Sequence, residues 1–128
     1  MELRLNRNMD KSELQQVQAA LASEKEAYQK ENQRVKDVLE EMVSVRNQLH
    51  DDYEGILDNT LALLTDEEDA ELRKLAIQKY EQADSELMEG YRSAFSKTMD
   101  EWEDFKVTSR RKQAKLEDQI MTLKRKEK

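Results

Sequence analysis

Few residues of this chain are suited to chemistry. His50 is the single histidine, and Asp51 and Asp52 follow it directly. An imidazole beside two carboxylates is a partial donor set for a divalent metal. A metal site, however, needs several ligands converging at fixed distances, which neighbouring residues on one helix surface do not provide. His50 is therefore expected on a solvated helix face. The string "DDYEG" at 51–55 has the composition of a calcium loop. Its ligand alternation is wrong, its glycine is misplaced relative to either Asp, and the correctly spaced terminal Glu is missing.

With Cys 0, thiolate metal sites, disulfides and a cysteine nucleophile are excluded. No glycine-rich phosphate loop, G-x-S-x-G or H-E-x-x-H occurs. Carboxylates are abundant, but on open helices nothing would desolvate them and raise a pKa for acid catalysis. The sequence predicts no enzyme, no metal and no cofactor.

Two further features could bind rather than react. Arg110, Arg111, Lys112, Lys115, Lys124, Arg125 and Lys126 crowd the C-terminal end in "SRRKQAK" and "KRKEK". They are a candidate anion-binding patch for nucleic acid, anionic lipid or an import receptor. Against this, bases near a helix C-terminus also complement the helix dipole, and no aromatic follows Phe105 to stack on a base. Trp102, in "DEWEDFK", fits either a helix seam or an exposed anchor for a basic partner. The seam is the expectation.

The elements that must carry these residues follow from composition and spacing. Of 128 residues, 40% are charged and 5% aromatic, with Pro 0 and Gly 2. Loops recruit Gly and Pro, so a chain nearly free of both has little room for loops. Glu, Lys, Gln, Leu, Ala, Met and Arg favour long helices that bury one stripe and solvate the rest. The same charge would suit a disordered chain, but regular apolar spacing argues against that. Leu14, Leu21, Tyr28, Val35, Met42, Leu49, Ile56 and Leu63 recur every seven residues without a miss. A sustained seven-residue repeat means a helix packed lengthwise on another, with left-handed supercoiling. The second seam position is weaker, since it includes Glu24, Glu31, Asp52 and Asn59.

Asp10 with Glu13 three residues on is a capping-box pattern, and Met9 with Leu14 is a hydrophobic staple. Residues 1–9 are thus expected as a flexible lead-in, 10–64 as a first coiled-coil helix, and 65–128 as a second. The break rests on Thr65 and Glu68, a second capping box, with Asp66 and Glu67 favouring the dipole of the first turn. Beyond it, Leu72, Ala76, Tyr80, Ala83, Leu87, Tyr91, Ala94, Thr98, Trp102 and Phe105 step by four, four and three. That is an eleven-residue rhythm, which favours a straighter helix. Met88, Phe95, Trp102 and Leu116 also fall on a sevenfold series, interrupted by Ser109. Set antiparallel to the first series they give Tyr28–Trp102 and Leu21–Ser109, centred on Thr65.

The expected fold is an all-α, long antiparallel two-helix coiled-coil hairpin that self-associates. The alternatives are one continuous helix in a parallel coiled-coil dimer and a compact bundle broken near Gly55 and Gly90. Two helices alone bury little surface, so the apolar residues beside the seam need cover. Leu57, Leu61, Leu64, Ile77 and Met99, flanked by Met88 and Phe95, are the expected association surface.

Charge is uneven: net −7 overall, with nine acids and no Lys or Arg over 51–71, and nine bases against three acids over 106–128. No eighteen-residue apolar run exists, and the N-terminus lacks the apolar core of a secretory signal. An intracellular protein follows, cytoplasmic by default and with the nucleus open to it. The functional expectation is a non-enzymatic coiled-coil scaffold, tether or assembly subunit, a homodimer engaging helical protein partners. The alternative is a coiled-coil dimeriser whose basic C-terminus binds nucleic acid or an anionic membrane.

Overall fold

The computed structural model describes the backbone of residues 2–127 and the side chains of residues 12–126. It is an all-α helical hairpin. Helix α1 spans Glu2–Leu63, a 3-10 turn spans Glu67–Asp69, and helix α2 spans Ala70–Glu127. The backbone is already helical from Glu2, so α1 does not start at Asp10 as expected. The side chains of Met9 and Asp10 lie outside the described residues.

The reversal needs no residue with positive φ. Leu64 closes the last turn of α1 by donating its N–H to the Leu61 carbonyl at 3.2 Å. Asp66 is extended (φ −81°, ψ 154°) and is the N-cap, one residue later than the expected Thr65. Its N–H donates to Asp69 Oδ2 at 3.4 Å, so Asp69 takes the role expected of Glu68. The shift has a cause in α1, whose last turn carries no base of its own. Arg73 supplies one from α2, donating Nη1 to the carbonyls of Leu64 at 2.7 Å and Asp66 at 2.8 Å. A cation held just past a helix C-terminus opposes the dipole of that helix; the Asp66 carbonyl also accepts the Asp69 N–H at 3.0 Å.

The chain forms two compact units, each built from a piece of both helices. One comprises Met1–Val35 with Asp100–Lys128, the other Lys36–Met99. The boundary falls where the rhythm of burial changes. In the first unit the seam is sevenfold on both helices. Leu14, Leu21 and Tyr28 are half-buried and Val35 is buried, facing Trp102, Ser109, Leu116 and Leu123. Trp102 packs on Tyr28 with ring centroids 5.5 Å apart and stacks on Phe105 at 5.7 Å. Such aromatic pairs add about 0.5–1.5 kcal/mol each beyond the area they bury.

Ser109, which interrupts the apolar series, is the most buried side chain among the described residues, at 1% exposure. It donates to Glu24 Oε1 at 2.9 Å and accepts from Gln113 Nε2 at 3.1 Å. Glu24 is one of the weak positions of the α1 seam. The two apparent defects answer each other, because a buried hydroxyl needs a partner and the carboxylate provides it.

In the second unit the seam of α1 follows the other rhythm. Met42, Arg46, Leu49, Tyr53, Leu57, Thr60 and Leu64 are half-buried, stepping by four and three in an eleven-residue cycle. The facing residues of α2, Ala76, Tyr80, Ala83, Leu87 and Tyr91, keep the same cycle. Two helices that stay in contact must share one twist. A left-handed seven-residue seam cannot follow a nearly straight eleven-residue one, so the α1 seam leaves its own heptads.

Candidate interaction face

That change of rhythm moves apolar side chains into and out of the seam. Ile56 and Leu63, expected in the seam, are 64% and 82% exposed. Leu57, Leu61 and Leu64, expected on the outer surface, are half-buried in the seam. The two sets exchange roles because each additional turn of heptad rotates away from a seam that repeats every eleven residues. Phe95, also placed in the seam, is 37% exposed and packs on Tyr91 at 5.9 Å. Ile77 is exposed, while Met88 and Met99 are half-buried.

On α1, the exposed residues Val45, Ile56 and Leu63 therefore form a stripe that the expected association surface omitted. Val45 and Ile56 lie eleven residues apart, close to three full turns, and so share one face. Both border open grooves between α1 and α2. One groove, of about 440 Å³, is lined by Val38, Met42, Val45, Leu87, Gly90 and Ala94 among others. The next, of about 240 Å³, is lined by Tyr53, Ile56, Thr60, Ala76, Lys79 and Ala83 among others. Thr60 is accommodated there because its hydroxyl donates to the Ile56 carbonyl at 2.7 Å. Leu63, seven residues beyond Ile56, and Leu72, seven before Lys79, extend the face towards the bend; Leu72 is 52% exposed. The walls differ in bulk. α1 offers Val and Ile, and α2 offers Ala76, Ala83 and Gly90 at sevenfold spacing.

His50 is not on a bare solvated face. Its Nδ1 lies 2.7 Å from Asp84 Oδ1 on the facing helix, and its Nε2 lies 3.0 Å from Glu54 Oε1. Tyr80 donates to the same Glu54 oxygen at 3.5 Å. The hydrogen bond to Asp84 is the main cause holding the imidazole pKa above its ordinary value; Asp84, Glu54 and Asp51 add attraction, and partial desolvation opposes them. With both ring nitrogens on carboxylates, only the imidazolium donates to both. Periodicity within α1 cannot show this pairing, since Asp84 lies 34 residues away. Among the described residues, no three His, Cys, Asp or Glu side chains converge as a metal site.

The basic residues of the C-terminal end lie along α2 and border more than one groove. Arg110 borders a groove with Lys25, whereas Lys115 and Lys126 border a different one with Glu13 and Asp118. Arg111, Lys112, Lys124 and Arg125 are exposed along the same helix. Trp102, at 8% exposure, is held by Tyr28, Phe105 and a Lys106 ammonium 5.5 Å from its ring centroid, and so offers no exposed anchor.

The described residues form a helical hairpin whose second unit carries an apolar, grooved face. No helix among the described residues is long and apolar enough to cross a membrane. No protein family, curated protein or solved structure matches the chain.

Proposed function

We propose that this protein is a non-enzymatic coiled-coil scaffold, an assembly subunit or tether that engages helical protein partners and a second copy of itself. The observation that carries the reading is the stripe of Val45, Ile56 and Leu63, 50%, 64% and 82% exposed in a chain of 40% charged residues. Apolar side chains left in water along one face, beside apolar grooves, mark a surface that another helix covers. Support for the anion-binding alternative is thinner, because Arg110 and Lys115 border different grooves and the groove of Lys115 and Lys126 also holds Glu13 and Asp118.

A photo-crosslinking residue at Leu63, in cells producing the chain, tests the assembly role. Covalent adducts with a protein chain are expected on irradiation. Irradiated chain that stays free of every protein adduct overturns it.

A further inference from the structure

We infer that the grooved face of the second unit is self-complementary and that its occupant is the same face of a second copy, turned end for end about a two-fold axis. This deepens the assembly reading and rests on it. With the axis across both helices, α1 lies on α1 and α2 on α2, each antiparallel to its counterpart.

On α1, Val38 of one copy then falls opposite Leu63 of the other, and Val45 opposite Ile56. Both pairings are centred between His50 and Asp51. On α2, Ala76 falls opposite Gly90 and Ala83 opposite itself, centred on Ala83. These are two separate sequence patterns, and one axis can serve both only if the two centres lie side by side in the hairpin. They do, as the 2.7 Å contact of His50 with Asp84 shows.

Charge agrees with the same axis. Lys79 and Glu86 both line the grooved face. Seven residues apart on one helix, they form no ion pair with each other; across the axis, Lys79 of each copy meets Glu86 of the other. A two-fold contact of this kind must be matched to itself, and complementary charge fixes its register.

Gly90 fits the arrangement too. A Cβ there would meet nothing within 4 Å, so packing inside one chain does not call for glycine. Mid-helix glycine costs about 1 kcal/mol against alanine. The small wall of Ala76, Ala83 and Gly90 lets the two α2 helices approach closely, while the bulkier α1 walls fill the wider side. Every neighbouring helix pair in the resulting four-helix section is antiparallel, and the acids of the two bends, Asp66 to Asp69, lie at opposite ends.

The test uses the full chain. Sedimentation equilibrium is expected to give a dimer. Lys79→Glu is expected to raise its dissociation constant about tenfold, and Lys79→Glu with Glu86→Lys to restore it, since only contact between copies can be rescued by that exchange. Helicity by circular dichroism is expected unchanged in both variants. In this cysteine-free chain, Ala83→Cys is expected to yield a disulfide-linked dimer on mild oxidation, and Ile77→Cys is not. A dimer indifferent to both charge changes and unlinked through Ala83→Cys overturns this pairing while leaving the assembly role standing. A monomer throughout the micromolar range overturns self-pairing as a whole; adducts at Leu63 in cells would then be with a different chain.

Discussion

His50 and Asp84 face each other across the hairpin at 2.7 Å, the imidazole lodged between a carboxylate of each helix. As the single histidine, it makes one pH-dependent contribution that can be isolated. Its folded pKa is raised above an unfolded value of about 6.5. The folded state therefore binds the proton more tightly, and this stabilisation is complete below the unfolded pKa and lost as pH rises through the folded one. Unfolding midpoints measured from pH 5.5 to 8.5 should fall across that window, and His50→Gln should flatten the trend. An imidazole titration by NMR giving a pKa at or below the unfolded value would contradict the geometry.

The pair of Ser109 and Glu24 makes a second expectation. Ser109→Ala should destabilise by about 1–2 kcal/mol, because the half-buried Glu24 carboxylate loses its donor. Glu24→Gln keeps an acceptor and should cost less. In a double-mutant cycle by urea unfolding, the two changes should be coupled by more than about 0.5 kcal/mol. Strict additivity would mean that the hydrogen bond contributes nothing.

At the bend, Arg73→Ala should cost about 1–3 kcal/mol, since one guanidinium nitrogen satisfies two carbonyls. Amide hydrogen exchange should quicken for the residues flanking Leu64 and Asp66 and stay unchanged near Tyr28. Arg73→Lys should restore only part of the loss, because an ammonium lacks the planar fork of the guanidinium.

The exchange of roles between adjacent leucines and isoleucines can be read directly. Leu57→Ala, in the seam, should lower the stability of the hairpin by about 1–2 kcal/mol. Ile56→Ala, one residue away, should leave hairpin unfolding nearly untouched at low concentration and weaken self-association instead. Equal effects on unfolding would place both side chains in the seam and remove the exposed stripe.

How far the sequence carries the structure depends on whether a signal is local. The hairpin, the break near Thr65, and Tyr28 against Trp102 are legible because helical period and capping chemistry are written in neighbouring residues. The one-residue displacement of the cap to Asp66 is not, since Arg73 sets it from the other side of the bend. Cross-helix contacts such as Glu24 with Ser109 and His50 with Asp84 centre on Asp66 and Glu67, in keeping with that cap. Ile56 and Leu63 mislead for a related reason. Their spacing is flawless within α1, but which side faces inward is dictated by the twist of α2. The eleven-residue rhythm of α2 was visible, and imposing it on α1 is the step that finds the exposed stripe.

The two rhythms, sevenfold beside Tyr28 and elevenfold beside Leu57, work as a vernier. A uniform heptad coil can slide by one repeat and regain every contact. Here a slip of seven residues would suit one part of the molecule and spoil the other, and a slip of eleven would do the reverse. The shortest displacement satisfying both exceeds the 62 residues of α1 and the 58 of α2. Misaligned zippering thus has no comfortable stopping place, and the chain is driven to a single alignment without a rigid turn to enforce it.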